Sequence, residues 1–292
     1  KHEKIYKSIT KELRKEKISI LNISECSDDQ LKTINKIYNT SIKHSLSPRI
    51  VNARHPLPNM ASGTLYVITR FKTKNDELIG IIPLPSSLPT IYRIGSKKGD
   101  EFVLLEDIML TKEKSLFGKG IEELETGIFE ITRNADVNPD QSDDDIPDYR
   151  KKVKKALGKR RKQEIVRLRV KAGMSNKCIK YLMSQLNIRK EMLLVENIPL
   201  DYSFGFTLPS LLQNRNAGDY QYAPYTPKRS VAFDYNKPLF DQVLQKDVLL
   251  HYPYESMDPF LQLVKEAAKD PRVLQIKITI YRLAKNARLV DY

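Results

Sequence analysis

The sequence predicts an α/β fold, and the clearest sign is a strand–helix–strand pattern in residues 246–282. The apolar run 248–250 is typical of a short buried strand. Asp258 and Pro259 are residue types suited to the cap and the first position of a helix. The β-branched stretch 273–281 then predicts a second strand. Two strands joined by a helix within about 35 residues match the usual size of a βαβ unit with parallel strands.

The residues before this unit mix helices and strands without regular alternation, which predicts an α+β domain. Ile5, Ile9 and Leu13 recur at helical spacing on an otherwise charged segment and predict a helix over residues 1–17. A short strand is expected at 18–23.

A capping box, formed by Ser27 and Gln30, predicts the start of a second helix. The next expected elements are the two strands of a β-hairpin, a helix, two further strands and a last helix. Their predicted ranges are 65–71, 78–82, 102–110, 128–133, 165–170 and 175–186. Residues 199–238 are rich in Pro, Tyr and Asn, so we expect them to be ordered without regular structure.

The composition favours a soluble globular protein with polyanionic partners. The 292 residues carry a formal net charge of +14, and none of their apolar runs approaches the roughly 18 residues of a membrane span. Charge alone does not separate polyphosphate, nucleotides, nucleic acid and an anionic membrane surface. Cys26 and Cys178 have neither a C-x-x-C nor a zinc spacing, which favours a reducing cytosol. The chain starts at Lys1 rather than Met, so we expect it to be a piece of a longer protein.

Several short stretches resemble a known family when they are taken together and in order. They are HPLPN at 55–59, IPLPSSLP at 82–89, FVLLEDI at 102–108, FEITRNAD at 129–136, VRL at 166–168, DVLLHYPY at 247–254, DP at 270–271 and IKITIYR at 276–282. Each stretch alone has little specificity, but the set spans nearly the whole chain. On these residues the chain resembles the large, histidine-dependent type of bacterial polyphosphate kinase.

The resemblance implies a division of the chain into three parts. Residues 1–20 would be the tail of an N-terminal helical domain, 21–240 the middle domain, and 241–292 the start of the C-terminal catalytic domain. The middle domain would be α/β and take part in dimer contacts. The catalytic half of the family is similar to phospholipase D, so the βαβ unit would open a phospholipase D-like α/β domain.

The resemblance also implies a function, the reversible transfer of the γ-phosphate of ATP to inorganic polyphosphate through a phosphohistidine. Mg²⁺ would be the cofactor, and ATP, ADP and polyphosphate would be the partners in preference to nucleic acid. The whole protein would be a cytoplasmic homo-oligomer, a dimer or larger, with peripheral contact at the inner membrane face as a further expectation. The nucleophilic histidine would lie beyond Tyr292, so we expect no catalytic residue in this chain and no activity from it alone.

Arg282 is the residue that the resemblance places in the active site. It ends the second predicted strand, where α/β folds place ligand contacts. By the resemblance, this arginine is associated with the Mg²⁺-bound phosphates. A guanidinium group has no lone pair for a metal, so Arg282 would hold phosphate oxygens beside the Mg²⁺ rather than ligate the ion. From its position alone, a surface ion pair is the alternative.

The histidines of this chain show no catalytic spacing. His251 precedes a Pro-Tyr turn, and His55 lies in the HPLPN motif. We therefore expect structural roles for both of these residues rather than the phosphohistidine role that the family uses.

A strongly basic run covers residues 150–171, with twelve Lys or Arg against the single acid Glu164. Its first part predicts a basic helix over 149–162, preceded by an acidic loop at 136–148. The common explanation of such a run is a solvated charged face. The alternative is a surface that guides polyanions, whose binding would depend on salt. The candidate polyanion-binding residues are Lys159, Arg160, Arg161 and Lys162.

Two other functions remain open on the sequence. The chain would be a non-catalytic polyanion-binding module if its middle domain and basic helix bind polyanions in a salt-sensitive way that survives Arg282→Ala. It would be an assembly piece if it supplies dimer contacts only, and it would then form dimers without a salt-sensitive ligand.

Overall fold

The structure is a computed structural model that describes most of the chain. The described residues are 1–52, 55–73, 77–95, 99–112, 116–117, 122–134, 151, 158, 163–212, 222–280, 283 and 287–292. The chain divides into two compact units, Lys1–Arg215 and Asn216–Tyr292. The boundary predicted at residue 240 falls inside the second unit and stays a prediction. Within the described ranges, none of the helices is both long and apolar enough to cross a membrane.

The first unit is built on strands that form two sheets in the described part of the chain. The strands are β1 (Ile18–Ile20), β2 (Arg49–Val51), β3 (Leu65–Lys72), β4 (Glu77–Pro83), β5 (Ile91–Gly95), β6 (Asp100–Leu104), β7 (Glu122–Arg133), β8 (Ile165–Lys171) and β9 (Leu193–Glu196). The smaller sheet has the order β1-β6-β5, and the larger has the order β2-β4-β3-β7-β8-β9. The pairs β1/β6 and β8/β9 are parallel, and the other neighbours are antiparallel.

Helices cover both sheets of the first unit. They are α1 (His2–Lys15), α2 (Asp28–Ile37), α3 (Leu105–Lys112), α4 (Asn176–Gln185) and α5 (Phe204–Leu211). A π-helical turn, Tyr38–Ile42, continues α2. Helices and mixed sheets together give the α/β fold class that the sequence predicts.

The larger sheet is buried on both faces. On β3, Val67 joins the hydrophobic cluster that contains Ile34 of α2. Its neighbour Ile68 points the other way, into the cluster that contains Leu182 of α4. Because both faces are covered, β3 is a nearly continuous apolar run and does not alternate between polar and apolar residues.

Most predicted elements of the first unit are confirmed. The hairpin β3/β4 is antiparallel with Ile68 opposite Ile81. The capping box begins α2, and the backbone N–H of Ser27 donates to Oε1 of Gln30 at 2.8 Å. The helix α1 and the strands β1, β7 and β8 form at their predicted places, as does α4.

Two of the predictions for the first unit differ from the structure. The stretch 102–110 is a strand as far as Leu104, because β6 pairs with the unpredicted strand β5, and it becomes helical only at α3. A helix, α5, forms within 199–238 despite Pro209. Phe204 and Leu208 of this helix are buried against the smaller sheet, so tertiary packing overrides the weak local propensity.

The second unit contains helices α6 (Leu239–Val243), α7 (Asp258–Ala267) and α8 (Arg288–Asp291). Helix α7 confirms the helix of the predicted βαβ unit. Asp258 is the first residue of this helix, and the N-cap position belongs to Met257 instead. The hydroxyl of Ser256 accepts the backbone N–H of Asp258 at 3.1 Å.

The two strands predicted beside α7 are wrong for the described residues. Residues 248–250 and 273–280 have no strand structure, and the side chains of Leu249 and Leu274 are 90% and 97% exposed. A β-strand needs a neighbour for its backbone hydrogen bonds, and no described segment of the second unit pairs with either stretch.

Candidate functional site

The site residues singled out in the sequence lie outside the described residues. These are Arg282 and the basic residues Lys159, Arg160, Arg161 and Lys162. The acidic loop 136–148 also lies outside, as does the basic helix 149–162 except for Lys151 and Gly158. The roles given to these residues therefore stay predictions.

Arg169, near the end of the basic run, forms its hydrogen bonds inside the first unit. Arg169 of β8 donates to Oε2 of Glu130 at 2.6 Å and to Oε2 of Glu196 at 2.7 Å. It also donates to the backbone oxygen of Leu200 at 3.0 Å. The guanidinium group thus ties together strands β7, β8 and β9, so Arg169 is a structural residue and no part of a polyanion-guiding surface.

Lys171, two residues further along β8, lies in a buried ion cluster. Its Nζ contacts Oε1 of Glu106 and lies 2.7 Å from Oδ1 of Asp107. Oε2 of Glu106 accepts the backbone N–H of Leu200 at 3.0 Å. Burial by itself lowers the pKa of Lys171, but the charges and hydrogen bonds of Glu106 and Asp107 outweigh it and raise the pKa. The ammonium group therefore stays charged in the fold.

His251 lies in an exposed turn of the second unit. Its backbone N–H donates to Oε2 of Glu255 at 2.6 Å, and its ring centroid lies 5.0 Å from that of Tyr254. Hydrogen bonds from the Ser230 side chain and from the His251 backbone hold the pKa of Glu255 below its usual value. These contacts fit a structural turn residue, which is the role the sequence predicts.

The second unit also has an open pocket of about 510 Å³. Three cationic side chains line it: Arg229 and Lys237 from the segment before α6, and Arg288 from α8. Its other lining residues include the carboxylates Asp258 and Glu266 at the two ends of α7 and the aromatic rings of Tyr235 and Tyr292.

Arg229 has a defined orientation in this pocket. The carbon of its guanidinium group lies 3.9 Å from the centroid of the Tyr235 ring. This stacking leaves the N–H groups at the edge of the guanidinium plane available to an oxygen ligand. The hydroxyl oxygen of Tyr235 is buried and has no hydrogen-bond partner among the described residues.

The carboxylates of the pocket are already hydrogen-bonded. Glu266 accepts the backbone N–H of Phe240 and the side-chain amide of Gln262, each at 2.9 Å. Asp258 accepts the hydroxyl of Ser256 at 2.9 Å and lies 3.4 Å from Arg288. The pocket therefore combines engaged carboxylates with cations that have free donor capacity.

Sequence reasoning missed this pocket. Arg229 and Lys237 both lie in the stretch 199–238, which has no recognisable motif, and Arg288 is far from both in sequence. The basic pair Lys228 and Arg229 was the available signal, and it does not indicate which other cations the fold brings nearby.

Within the described ranges, the structure has no group of three or more His, Cys, Asp and Glu residues that could hold a metal ion.

Comparison with family models identifies the chain. The model described as the polyphosphate kinase middle domain matches residues 29–208, more than half of the 292 residues. The chain belongs to the polyphosphate kinase family. A second model of the family, polyphosphate kinase C-terminal domain 1, matches residues 238–292.

Curated relatives extend this similarity over nearly the whole chain. A polyphosphate kinase of Campylobacter jejuni subsp. doylei is 30% identical over 99% of this chain and 41% of the relative. Polyphosphate kinases of Exiguobacterium sibiricum and Staphylococcus epidermidis are 29% and 28% identical over 98% of this chain. The chain thus spans about two-fifths of the length of these relatives.

A solved structure agrees with the fold. The crystal structure of polyphosphate kinase from Porphyromonas gingivalis matches 98% of this chain and 41% of that chain, with a TM-score of 0.64 and 20% sequence identity. At this level of identity the match supports the fold alone.

Proposed function

We propose that the chain forms the middle domain and the start of the catalytic domain of a polyphosphate kinase. The observation that carries this proposal is the match of two family domains, in order, at residues 29–208 and 238–292. The whole enzyme would move the γ-phosphate of ATP reversibly to inorganic polyphosphate. A histidine in the portion of the relatives that this chain does not span would carry the phosphoryl group between the two substrates.

A covalent relay suits this reaction because one phosphoanhydride bond replaces another. Attack of the histidine on the γ-phosphate releases ADP and forms a phosphohistidine, and the terminal phosphate of the polyphosphate chain then displaces the histidine. Splitting the transfer in this way keeps each half-reaction reversible. Negative charge is spread over the oxygens of the moving phosphoryl group, so preorganised cations lower the barrier.

Arg282 is the residue of this chain that we assign to the phosphates. Its guanidinium group would donate two parallel hydrogen bonds to phosphate oxygens and so orient the phosphoryl group. Mg²⁺ would supply further charge neutralisation when bound to those phosphates. No step of the proposal depends on a metal site among the described residues.

A chimera tests the proposed function. The segment of the Campylobacter jejuni polyphosphate kinase that matches this chain would be replaced by residues 1–292, and polyphosphate made from ATP would be measured by gel electrophoresis. We expect polyphosphate synthesis, because each family domain would retain its partners. Arg282→Ala in the chimera is expected to lower the rate by about 100-fold, the cost of one donor at a transition-state charge.

Arg189→Ala is a matched control, because Arg189 caps a short 3₁₀ helix of the first unit and has no role in the proposal. It should leave the rate within about twofold. A chimera that elutes and melts like the parent enzyme but makes no polyphosphate would contradict the proposed function.

We also propose that the chain is inactive by itself. Incubation with γ-labelled ATP and Mg²⁺ should give neither labelled protein nor polymer, because the nucleophilic histidine is assigned to another part of the enzyme. Acid-labile label on the protein would show that one of its own histidines is phosphorylated. It would contradict the assignment of the nucleophilic histidine to another part of the enzyme.

The whole enzyme is further proposed to be a cytoplasmic homo-oligomer with peripheral contact at the inner membrane face. Light scattering of the active chimera measures the first property, and a monomer would contradict it. Sedimentation with vesicles of anionic lipid measures the second.

A second candidate function is a polyanion-binding module, which the basic run at 150–162 favours. Binding of long-chain polyphosphate would then fall steeply between 50 and 200 mM salt, on the order of tenfold or more. Replacing Lys159, Arg160, Arg161 and Lys162 by glutamine should remove most of that salt dependence, and Arg282→Ala should not. If the quadruple variant binds like the unchanged chain, these residues do not guide polyanions.

A further inference from the structure

We propose that the pocket of the second unit binds a phosphate-bearing anion through Arg229, Lys237 and Arg288. The fold brings Arg288 of α8 to Arg229 and Lys237, which both lie in the segment before α6, so the cluster is not a property of the local sequence alone. The inference rests on the proposed function for the source of the anion. The geometry of the pocket is independent of that function.

Arg229 is the principal contact because it is oriented and available. Its guanidinium plane is held against the Tyr235 ring, with 3.9 Å between the guanidinium carbon and the ring centroid. Among the described residues no carboxylate pairs with it. Arg272 of the same unit shows the contrast, since its guanidinium group bridges Asp241 and Asp270. The donors of Arg229 are therefore free to hold two oxygens of one phosphate group.

The other two cations are only loosely engaged. Lys237 lies 3.5 Å from Asp234, and Arg288 lies 3.4 Å from Asp258, with side chains of the two cations 71% and 65% exposed. Exposed ion pairs at such distances contribute little to stability. Both side chains can therefore turn towards a ligand at low cost, and their long stems allow them to follow a chain of several phosphates.

The charge balance of the pocket favours an anion. Three cations and two carboxylates line the pocket, and Asp234, the partner of Lys237, lies outside the lining. The two lining carboxylates already accept hydrogen bonds from Phe240, Gln262 and Ser256. These bonds offset part of the negative charge of Asp258 and Glu266. The donor capacity that remains in the pocket belongs to the cations, and the natural acceptor for it is an anion of high charge density.

The size of the pocket sets the class of ligand. A volume of about 510 Å³ lies within the range of small-molecule sites. Leu239 and Leu261 supply apolar lining, and an open side admits solvent. A short chain of phosphates fits these dimensions, either as inorganic oligophosphate or as the phosphate tail of a nucleotide. The shared chemistry is a linear oligophosphate.

Calorimetric titration of the 292-residue chain with tripolyphosphate at 50 mM salt, without Mg²⁺, tests the inference. We expect saturable binding, and a loss of about tenfold in affinity for Arg229→Gln, the cost of one charge-assisted bidentate contact. Arg288→Gln should lose about threefold, because that side chain shares its charge with Asp258. Arg229→Lys should be intermediate, since it keeps the charge and loses the planar fork.

Arg272→Gln is the matched control. The guanidinium carbon of Arg272 also lies over an aromatic ring, 5.3 Å from the centroid of Phe240. Unlike Arg229, however, Arg272 forms ion pairs with two aspartates. The control should keep the affinity of the unchanged chain within twofold. Equal losses in Arg272→Gln and Arg229→Gln would mean that only net charge matters, and the inference would be overturned. No binding by the unchanged chain would overturn it as well. Thermal melting of each variant verifies that it is folded.

Adenosine and ATP distinguish the two sources of oligophosphate. ATP that binds no tighter than tripolyphosphate indicates inorganic oligophosphate, and tighter binding indicates a nucleotide tail. Either result supports the site. Adenosine that binds as tightly as ATP would show that phosphate is not recognised and would overturn the inference.

The inference and the proposed function can fail separately. An inactive but folded chimera refutes the function, while the titration of the chain still decides whether the pocket binds oligophosphate. Conversely, an active chimera together with equal binding by the chain and by Arg229→Gln refutes the pocket alone.

Discussion

At the scale of single residues, Lys171 shows how a basic sequence can serve the interior. Its ammonium group lies between Glu106 and Asp107, and Glu106 is only 3% exposed. A buried pair of this kind gives little net stability against an apolar alternative, but losing one partner leaves a charge without compensation. Lys171 therefore compensates the charge of buried carboxylates and is not a contact for an external anion.

Lys171→Met should destabilise the first unit by about 3–5 kcal/mol at pH 7, because Glu106 would remain buried without its cation. Burial raises the pKa of Glu106. A carboxyl group with a raised folded pKa favours the folded state as pH falls, so the loss should be smaller at pH 5. Urea unfolding at the two pH values measures both effects.

Lys177→Met is the control for this prediction. Lys177 pairs with Glu77 at 3.1 Å, but its side chain is 67% exposed. Its loss should cost less than about 1 kcal/mol. Similar costs for the two variants would contradict the importance of the buried cluster.

Tyr92 contrasts with Lys171, because its buried hydroxyl has no hydrogen-bond partner among the described residues. Burial raises its pKa from 10.0 to about 12. Between these values the unfolded chain loses a proton that the folded chain keeps, so folding stability falls as pH rises. Tyr92→Phe should reduce this alkaline loss and leave stability at pH 7 equal or higher by up to about 1 kcal/mol.

Thermal unfolding at pH 7 and pH 11 compares Tyr92→Phe with Tyr66→Phe. The hydroxyl of Tyr66 accepts the backbone N–H of Ala61 at 2.8 Å, so removing it should cost about 1 kcal/mol at pH 7. If Tyr92→Phe is the more harmful change at pH 7, the hydroxyl of Tyr92 has a partner in solution.

At the scale of elements, the parallel pair β1/β6 depends on a single glycine. Gly99 precedes β6 with φ at +132°, and a Cβ there would clash with the carbonyl oxygen of Lys17. That oxygen accepts the backbone N–H of Asp100 at 2.9 Å, which joins the start of β6 to the end of the α1–β1 connection. The glycine thus allows both the backbone conformation and the close approach.

Gly99→Ala should therefore cost more than Gly173→Ala. Gly173 also has a positive φ, +103°, but nothing lies within 4 Å of the position of its Cβ. Backbone strain alone should cost about 1 kcal/mol in each variant, and the clash adds to this at Gly99. Urea unfolding gives the difference, and an equal or larger cost at Gly173 would contradict the steric argument.

Elements were predictable where one local rule decided the structure. The capping box at Ser27 and Gln30 and the β3/β4 hairpin are of this kind. The change from strand to helix at Leu105 was not predictable, because residues 100–104 form a strand through their pairing with β1 and β5. Helix α5 depends on burial of Phe204 and Leu208, which the sequence does not show.

At the scale of the whole molecule, the same distinction applies to the candidate sites. Arg282 was found through a motif, and the structure does not describe it. Arg229, Lys237 and Arg288 belong to no motif, and Arg288 meets the other two only through the folding of the second unit. Proximity of residues distant in sequence is a property of the fold, so the pocket was found only in the structure.

The two units differ in whether their strand-forming segments have hydrogen-bonded neighbours among the described residues. In the first unit, β3 has hydrogen-bonded neighbours on both sides, β4 and β7. In the second unit, residues 273–280 have strand-forming sequence and no strand partner in the described part of the chain, with Ile276, Ile278 and Ile280 between 38% and 46% exposed. The sequence of this segment specifies a strand that its surroundings do not complete.

Hydrogen exchange measured by mass spectrometry should report this difference directly. In the 292-residue chain, amides of 274–280 should exchange at least about a hundredfold faster than those of β3, because their backbone groups are open to water. In the active chimera the same amides should become protected, since a parallel sheet can form only when neighbouring strands are supplied. Strong protection of 274–280 in the chain alone would show that this segment already has a partner. A lack of protection in an active chimera would show that catalysis does not need this strand, and the βαβ interpretation would then be wrong for the whole enzyme.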